Sequence, residues 1–462
     1  MELNGKKTLV LGAGKSGVGV AAFLRAGGAT VALHDKKPFE TWSETARSLK
    51  DQKIGVIDGD LPSWLLDQID LVVISPGVPT NTIPARYVDR KDGEVIGEIE
   101  LAYRFLKGRI VGITGSNGKT TTTTLVYELL KNAGIETQVG GNIGTPLIDL
   151  VKTATETAWT VVELSSFQLE TIKEFRPNVA ICLNVTPNHL DRYNFFTDYA
   201  AAKHRLFMNQ TPEDVAILNA DNEITASWAK SGLRANTVLF STQKELETGL
   251  FLRGRDLVCR ANGVEKILTS RDEMALRGLH NVENVLAALA AGLACGAAPD
   301  SMRETVRNFK AVEHRLEFVT EIEGVKFYND SKATSVDATQ KALEALAEEA
   351  GEIILILGGR GKNAPYEPLA NLIKDKVRQL VLIGDDADNI EQQLSKFTKT
   401  IRASSMANAV EKSYAAAAKG DSVLLAPACA SFDMFTSFEA RGKTFKDEVL
   451  RLAQSANPKP KI

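Results

Sequence analysis

The chain has 462 residues, of which 44% are hydrophobic and 24% charged, and its formal net charge at pH 7 is -3. That length predicts two to four domains with substantial hydrophobic cores, and we expect three. The near-neutral balance, with no basic tail or polybasic run, argues against nucleic acid as a partner. No stretch approaches the roughly 18 apolar residues of a membrane helix, and no signal peptide precedes the first strand, so we expect a cytoplasmic protein without membrane insertion.

Short β-branched runs alternate with helical patterns along the whole sequence, which is typical of parallel sheets covered by helices, an α/β fold. Three glycine-bearing strand-to-helix junctions predict three units, whose strands are Lys7–Leu11, Arg109–Thr114 and Glu352–Leu357. The predicted helix Glu98–Leu106 would link the first unit to the second, and the charged stretch Glu313–Arg315 the second to the third. We therefore expect a Rossmann-like domain, a P-loop ATPase-like domain and a second Rossmann-like domain, with the boundaries 1–97, 98–311 and 312–462.

The first junction carries the spacing Gly12-x-Gly14-x-x-Gly17, and the next predicted strand, Thr30–His34, ends at Asp35. On a strand, turn and helix this pattern predicts a diphosphate held at the helix N-terminus. Two ligands fit it. One is the nicotinamide dinucleotide of an oxidoreductase; the other is a UDP-sugar, whose uracil or ribose could donate hydrogen bonds to Asp35.

The second junction is Thr114-Gly115-Ser116-Asn117-Gly118-Lys119-Thr120, which ends an apolar strand and opens a helix. Glycines let backbone amides approach phosphate oxygens, Lys119 neutralises the β- and γ-phosphates, and Thr120 can bind Mg²⁺ through its hydroxyl. The usual loop has an earlier glycine where this chain has Ile113. The segment nevertheless predicts an ATP site.

Three further side chains follow predicted elements of the second unit. Glu163 stands at the end of strand Thr160–Val162, where a carboxylate can hold Mg²⁺. His189 follows the strand Val179–Asn184, and Lys203 lies on the predicted helix Tyr199–Phe207. Taken singly, each has an ordinary explanation: a strand-end acid, a structural histidine and a solvated lysine.

Taken together, these motifs resemble those of the Mur ligase family, the ATP-dependent amide ligases of peptidoglycan synthesis. The resemblance covers essentially the whole chain in order. Its segments are Glu163–Ser166, Asn184–Asp191, Tyr199–Lys203, Gly278–Asn284, Glu313–Glu317, Tyr328–Thr334, Gly358–Gly359 and Pro427–Asp433. The start at Leu11–Gly17, the form of Asn329–Thr334 and the lack of an Asp-Asn-Pro-Arg motif are most similar to the branch that joins D-glutamate to UDP-N-acetylmuramoyl-L-alanine.

The resemblance implies a reaction through an acyl phosphate, with two Mg²⁺ ions as cofactors. It implies that Lys203 is carbamylated by CO₂ and that the carbamate helps to bind the second ion. The implied catalytic residues are Lys119, His189, Lys203 and Lys332. The implied metal ligands are Thr120, Glu163, His189 and Lys203. The implied ATP-binding residues are Gly115, Ser116, Asn117, Gly118, Lys119, Thr120, Thr121, Asn281, Asn284, Arg315 and Asp330.

The resemblance also implies where the other two substrates bind. The residues for the UDP-sugar are Gly14, Lys15, Ser16, Gly17, Asp35, Lys36, Ser75, Gly77, Asn142 and Ser165. Those for the amino acid are Thr334, Lys362, Ser431 and Phe438. Lys362 would supply a cation for a carboxylate, and the hydroxyls would supply donors. Arg360 has no assigned role, and we expect a monomer.

Two other classes of protein remain as alternatives, and simple assays separate them. A nicotinamide oxidoreductase with an extra ATP site predicts an absorbance change with NAD(P)H, but it has no need of Glu163, His189 and Lys203 together. An ATP-gated binding module predicts binding without turnover. A ligase predicts phosphate release only when the nucleotide sugar and the amino acid are both present.

Overall fold

The structure is a computed structural model, and it describes residues 1–62, 64–83, 87, 93–187, 192–193, 195–309, 312–347, 351–361 and 364–456. The chain divides into two compact units. The first comprises Met1–Glu273 with Glu283–Arg307, and the second comprises Met274–Val282 with Asn308–Ile462. In the described part of the chain, no helix has the length and apolar character needed to cross a bilayer.

The first unit begins with a parallel five-stranded sheet in the order β3-β2-β1-β4-β5. Its strands are β1 (Lys7–Leu11), β2 (Thr30–Asp35), β3 (Gly55–Asp58), β4 (Leu71–Ile74) and β5 (Glu94–Gly97). The helices beside it are α1 (Lys15–Ala26) and α2 (Glu44–Ser48). Because β1 lies between β2 and β4, the strand order reverses at its carboxyl end, where open α/β sheets bind ligands.

A nine-stranded sheet follows, in the order β14-β13-β12-β11-β10-β9-β6-β8-β7. Its strands are β6 (Arg109–Thr114), β7 (Thr137–Gly141), β8 (Trp159–Glu163), β9 (Val179–Cys182), β10 (Val215–Asn219), β11 (Asn236–Ser241), β12 (Gly249–Arg253), β13 (Asp256–Ala261) and β14 (Val264–Ser270). The pairs from β7 to β12 are parallel, and β13 and β14 add an antiparallel edge.

Helices of this central part of the chain precede and follow the strands. They are α3 (Glu98–Tyr103), α4 (Lys119–Asn132), α5 (Leu147–Leu150), α6 (Ser166–Leu169), α7 (Phe196–His204), α8 (Glu223–Lys230), α9 (Leu279–Ala294) and α10 (Pro299–Asn308). Short α3 is the connection from the five-stranded sheet to the nine-stranded one. Its buried Glu100 accepts hydrogen bonds from the backbone amides of Lys173 and Phe175, at 2.8 and 3.0 Å, which fastens the connection to the central fold.

The second unit contains a six-stranded sheet in the order β15-β16-β20-β17-β18-β19, parallel except for β15. Its strands are β15 (Glu317–Ile322), β16 (Val325–Asn329), β17 (Ile353–Gly358), β18 (Val377–Ile383), β19 (Lys399–Arg402) and β20 (Ser422–Leu425). Its helices are α11 (Val336–Leu346), α12 (Ala370–Lys376), α13 (Ala387–Leu394), α14 (Met406–Ala416) and α15 (Phe438–Ala456).

The predicted α/β class, with three mainly parallel sheets, is confirmed. Individual elements differ from prediction at their ends. Helix α3 ends at Tyr103 rather than Leu106, and β9 ends at Cys182 rather than Asn184. Helix α7 begins at Phe196, and its predicted last turn, Arg205–Phe207, is a 3₁₀ turn.

Candidate functional site

The predicted phosphate loop joins β6 to α4. Asn184, which follows β9, holds its backbone: the Asn184 carbonyl accepts from the amide of Ser116, and the side-chain oxygen accepts from the amide of Asn117, both at 2.9 Å. Gly118 has a φ of 82°, and a Cβ there would lie 2.2 Å from the side-chain oxygen of Asn284. Glycine alone fits that position. The loop therefore places the N-terminus of α4 directly beyond the carboxyl end of β6. A helix N-terminus in this position can bind phosphate.

The polar side chains of this loop either bond to its backbone or are buried beside it. The Lys119 ammonium donates to the carbonyls of Gly115 and Ser116, both at 2.9 Å. The side chains of Ser116, Thr120 and Thr121 are buried. The positive charge is therefore held at the loop itself, where it can neutralise a bound polyphosphate.

Glu163 ends β8, which pairs with β6 and brings Glu163 opposite Ile113. Its side chain is buried, and one carboxylate oxygen accepts from the side-chain amide of Asn142 at 2.9 Å. The other oxygen, Oε2, has no hydrogen-bond partner among the described residues. A buried carboxylate oxygen without a donor is unfavourable unless a cation balances it. Glu163 thus fits the role of a Mg²⁺ ligand beside the hydroxyl-bearing loop.

Lys203 lies on α7 and is 1% exposed, which is rare for a lysine. Its ammonium donates to the carbonyl of Gly115 at 2.8 Å and to the hydroxyl of Thr114 at 3.4 Å. Burial, together with the nearby charge of Lys119, lowers the pKa of Lys203 to about 7, although Glu163 acts to raise it. The neutral amine, which is the form that adds CO₂, is therefore well populated near neutral pH.

Two of the predicted site residues, His189 and Lys362, lie outside the described residues. Metal binding by His189 and carboxylate binding by Lys362 stay predictions.

A cleft of about 1820 Å³ opens at the carboxyl edge of the five-stranded sheet. Most residues predicted for the UDP-sugar line it, namely Gly14, Lys15, Ser16, Asp35, Lys36, Ser75, Gly77 and Asn142. The Asp35 carboxylate accepts from the amide of Ala13 at 2.8 Å and from the amide of Lys37 at 3.0 Å. Lys15 donates to the carbonyl of Gly144. The wall is thus completed by the loop that follows β7.

Gly17 and Ser165 are not among the residues that line the cleft. Gly17 is buried in the first turn of α1, where a Cβ would lie 1.8 Å from the carbonyl oxygen of Gly12. The Ser165 hydroxyl accepts from the amide of Gln168 at 3.3 Å and caps α6. In this structure, both residues shape the elements next to the cleft.

Other residues line the cleft without having been predicted from the sequence. Among them are Lys37, Trp42, Asn81, Asp149 and Gln168. Lys37 directly follows Asp35 and Lys36, and Asn81 lies in the loop after β4, so their position beyond a strand end was an available signal. Trp42 had none, because its place in the wall depends on the fold of the loop after β2, in which its indole nitrogen donates to the carbonyl of Lys37 at 2.8 Å.

In the second unit, the structure brings together several residues predicted for the amino acid and ATP. The Lys332 ammonium lies 4.8 Å from the centre of the Phe438 ring, and the amide of Thr334 donates to the carbonyl of Lys332 at 2.8 Å. The backbone of Arg360 exchanges hydrogen bonds with Ala430, at 2.9 and 3.0 Å. This pairing puts the segment that precedes Lys362 beside Ser431, which is buried.

Two charged residues of the second unit stand out, Asp330 by its raised pKa and Arg441 by its burial. Burial raises the pKa of Asp330 to about 7, although the charge of Arg315 acts to lower it. The guanidinium of Arg441, on α15, donates to the carbonyls of Ser331 and Cys429 at 2.8 and 3.1 Å. Arg441 therefore ties the loop that carries Lys332 to the loop that carries Ser431.

Asn281 and Asn284, both predicted to contact ATP, are buried on α9. The Asn284 side-chain oxygen accepts from the hydroxyl of Thr122, at 3.3 Å, and packs against Gly118. The side-chain amide of Asn281 donates to the carbonyl of Arg277 at 2.6 Å. Asn284 is therefore part of the phosphate-loop surroundings.

Comparison with known proteins places this geometry in a family. The model of the Mur ligase MurD-like N-terminal domain matches residues 6–97, that of the Mur ligase middle domain matches 113–292, and that of the Mur ligase glutamate ligase domain matches 314–429. The UDP-N-acetylmuramoylalanine–D-glutamate ligase of Koribacter versatilis is 47% identical over 98% of this chain and 99% of that protein. The ligase of the same name from Acidobacterium capsulatum is 47% identical over 97% of each chain.

Solved structures show the same fold at lower sequence identity. The MurF ligase of Thermotoga maritima in complex with ADP has a TM-score of 0.62 and 18% identity, over 92% of this chain and 96% of that one. The full-length match to ligases sets aside both the oxidoreductase and the ATP-gated binding module. The chain belongs to the Mur ligase family of ATP-dependent, amide bond-forming ligases.

Proposed function

We propose that this protein joins D-glutamate to UDP-N-acetylmuramoyl-L-alanine, with conversion of ATP to ADP and phosphate, in the synthesis of peptidoglycan precursors. The observation that carries the choice of substrates is the 47% identity, over nearly the full length of both chains, to ligases named for them. We propose a division of labour among domains 1–97, 98–311 and 312–462, which would bind the nucleotide sugar, ATP and the amino acid.

The chemistry has two steps. A carboxylate oxygen of the alanyl group attacks the γ-phosphorus of ATP, which forms an acyl phosphate and releases ADP. The amine of D-glutamate then attacks the acyl carbon and loses a proton to solvent, the amide bond forms, and phosphate leaves with the electron pair of the broken carbon–oxygen bond. The first step brings an anion to a polyanion, so catalysis depends on positive charge at the phosphate loop. Lys119 and the amides at the start of α4 are suited to supply it.

Mg²⁺ would neutralise phosphate charge when bound, and Thr120, Glu163 and His189 would hold it. The support for this on the described residues is the unpartnered buried oxygen of Glu163. Lys203 would be carbamylated and would help to hold a second ion. As a cation it would add positive charge beside Lys119 in a buried place, whereas a carbamate would bring the negative charge that a metal ion needs. The near-neutral pKa of Lys203 supports that modification.

The first and last domains would bind the nucleotide sugar and D-glutamate, respectively. In the cleft, Lys15 and the amides after Gly14 would bind the diphosphate, and Asp35 would accept from the uridine. In the last domain, Thr334, Lys362, Ser431 and Phe438 would hold D-glutamate. Lys332, Asp330 and Arg315 would act in the ATP and reaction site.

A phosphate-release assay tests the proposal directly. With ATP and Mg²⁺, release should require both UDP-N-acetylmuramoyl-L-alanine and D-glutamate, and L-glutamate or other amino acids should substitute poorly. Mass spectrometry should find the amide product in an amount equal to the phosphate released. Equal turnover with a diamino acid, or release without any amino acid, would remove D-glutamate as the substrate.

A further inference from the structure

Arg192 lies beside the nucleotide-sugar cleft and belongs to the nine-stranded part of the first unit. Its guanidinium makes three different contacts. It stacks on Phe167 with its carbon 4.0 Å from the ring centre, pairs with Glu170 at 3.1 Å, and donates to the carbonyl of Pro76 at 3.2 Å. The last contact reaches the loop after β4. One side chain of the central fold therefore holds a loop of the five-stranded domain.

The loop that Arg192 holds forms part of the cleft. Pro76 lies between Ser75 and Gly77, and all three line the cleft. The Ser75 hydroxyl donates to the carbonyl of Gly12 at 3.2 Å, and Gly12 begins the glycine turn. A shift of Pro76 would therefore also disturb the hydrogen bond from Ser75 to Gly12, in the turn that is proposed to bind the diphosphate.

On its other side, Arg192 connects to the phosphate loop through side chains in contact. Tyr193 donates to the same Glu170 at 2.5 Å and stacks on the same Phe167, with ring centres 5.9 Å apart. Tyr193 also meets Tyr199 edge to face at 5.4 Å. The Tyr199 hydroxyl lies 3.0 Å from that of Ser116, in the phosphate loop. We call Phe167, Glu170, Arg192, Tyr193 and Tyr199 the aromatic bridge.

We propose that Arg192 is a positioning residue that couples the nucleotide-sugar cleft to the phosphate loop through the aromatic bridge. It holds the Ser75–Gly77 loop in the conformation that binds the nucleotide sugar. Binding of the nucleotide sugar therefore stabilises the conformation of the aromatic bridge in which Tyr199 contacts Ser116. The inference rests on the proposed function, in that the ligand of the cleft is taken to be the nucleotide sugar.

The three contacts of Arg192 need a guanidinium. Its planar, delocalised group can stack on a ring, pair with a carboxylate and donate to a carbonyl at the same time, whereas an ammonium is a compact point charge. Coupling between two sites is a shared free energy and must be reciprocal. A nucleotide in the phosphate loop should therefore tighten the binding of the nucleotide sugar by the same factor as the reverse.

The first test compares Arg192→Lys with Arg205→Lys by calorimetry on the full chain. Arg205 is a matched control, because its guanidinium donates to the carbonyls of Leu169 and Ile172, close to the aromatic bridge but within the central fold. Arg192→Lys should raise the Kd of UDP-N-acetylmuramoyl-L-alanine about tenfold, as expected for loss of a charge-assisted contact. The Kd of a non-hydrolysable ATP analogue with Mg²⁺, measured alone, should stay unchanged, and Arg205→Lys should alter neither.

The second test measures the coupling itself, as the ratio of the nucleotide-sugar Kd without and with the ATP analogue. The wild-type ratio should be at least about fivefold. Tyr193→Phe keeps the ring but loses the bond to Glu170, and Glu170→Gln keeps Arg192 but loses its charge partner; both should bring the ratio close to one. If Arg192→Lys fails to fold, as judged by circular dichroism, these two variants test the coupling in its place.

The outcomes separate this inference from the proposed function. If the wild-type protein binds the nucleotide sugar but Arg192→Lys binds it equally well, or Arg205→Lys weakens it as much, the positioning role is wrong. An unchanged ratio in Tyr193→Phe and Glu170→Gln would overturn the coupling. If the wild-type protein does not bind the nucleotide sugar at all, the proposed function fails and this inference fails with it.

Discussion

Two strand–glycine turn–helix junctions of the first unit look alike locally and differ in their surroundings. One runs from β1 through Gly12–Gly17 into α1, and the other from β6 through Gly115–Gly118 into α4. Each follows an interior strand of its sheet. The first opens into a wide cleft with Lys15 exposed, whereas the second is enclosed by buried hydroxyl groups and the folded-back Lys119.

The difference comes from the neighbouring strand ends. Beside the first turn, β2 ends at Asp35, whose carboxylate accepts from backbone amides of the turn and the next loop. Beside the second, β8 ends at Glu163, which keeps one buried oxygen without a partner, and Lys203 lies buried beneath the loop. Glycine spacing therefore indicates that phosphate can bind, and the residues on adjacent strands and helices determine which ligand and which chemistry.

The largest expected effect is at the second junction. Lys119→Ala should lower kcat on the order of 10³-fold or more, because it removes charge stabilisation of the transferred phosphoryl group. Steady-state phosphate release measures this. The nucleotide-sugar Kd should be unaffected, since its cleft belongs to the other junction, and near-normal turnover would mean that this loop is not the ATP site.

Next in size is the loss of Lys203. Lys203→Ala should lower kcat on the order of 10²-fold, because the carbamate and its metal-binding oxygens are missing. A short carboxylic acid added to the assay should partly restore activity by standing in for those oxygens. Lys203→Arg serves as the control and should not be rescued, since the guanidinium fills the space with the wrong charge. Full activity in Lys203→Ala would exclude the carbamate.

At the first junction the effect should be smaller and of another kind. Lys15→Ala should raise KM for UDP-N-acetylmuramoyl-L-alanine about tenfold through loss of one charge-assisted contact, with kcat and the KM for ATP little changed. Initial-rate kinetics with each substrate varied in turn measure the difference. An equal rise in the KM for ATP would contradict the assignment of separate ligands to the two junctions.

The smallest effect is the pH dependence of the carbamate on Lys203, which is expected only beside the second junction. Because burial lowers the pKa of Lys203 to about 7, its amine is mostly neutral above that pH and mostly protonated below it. Carbamate formation needs the neutral amine, so the carbamate signal should fall several-fold from about pH 8 to about pH 6. Carbon-13 NMR of protein equilibrated with labelled bicarbonate measures it, and Lys203→Ala should lack the signal at every pH.

Much of the fold could be predicted from local sequence. Strands β1 and β6 begin and end at the predicted residues, because each is a short apolar run stopped by a glycine turn. The end of β9 could not be predicted, since Asn184 leaves the strand direction to bond with the phosphate loop, 67 residues away in sequence. The burial of Lys203 was likewise invisible, because a lysine on a helix reads as solvated until its neighbours are known.

The site was predictable to the extent that its residues stand at strand ends. Glu163, Asp35 and Ser75 all do, and the structure finds them beside the phosphate loop or the cleft. Arg192 and Arg441 were missed, because each acts through tertiary contacts with backbone carbonyls, and no spacing in the sequence encodes such contacts. Family resemblance supplied what periodicity could not, above all the carbamate proposed for Lys203.

The central claim is that the two similar junctions bind different ligands, and crossed calorimetry tests it most directly. UDP-N-acetylmuramoyl-L-alanine, NADH and a non-hydrolysable ATP analogue with Mg²⁺ would each be titrated into the wild-type protein, Lys15→Ala and Lys119→Ala. We predict that Lys15→Ala weakens only the nucleotide sugar, that Lys119→Ala weakens only the ATP analogue, and that NADH does not bind. Micromolar binding of NADH without binding of the nucleotide sugar, or a loss of both ligands in either variant, would contradict the account.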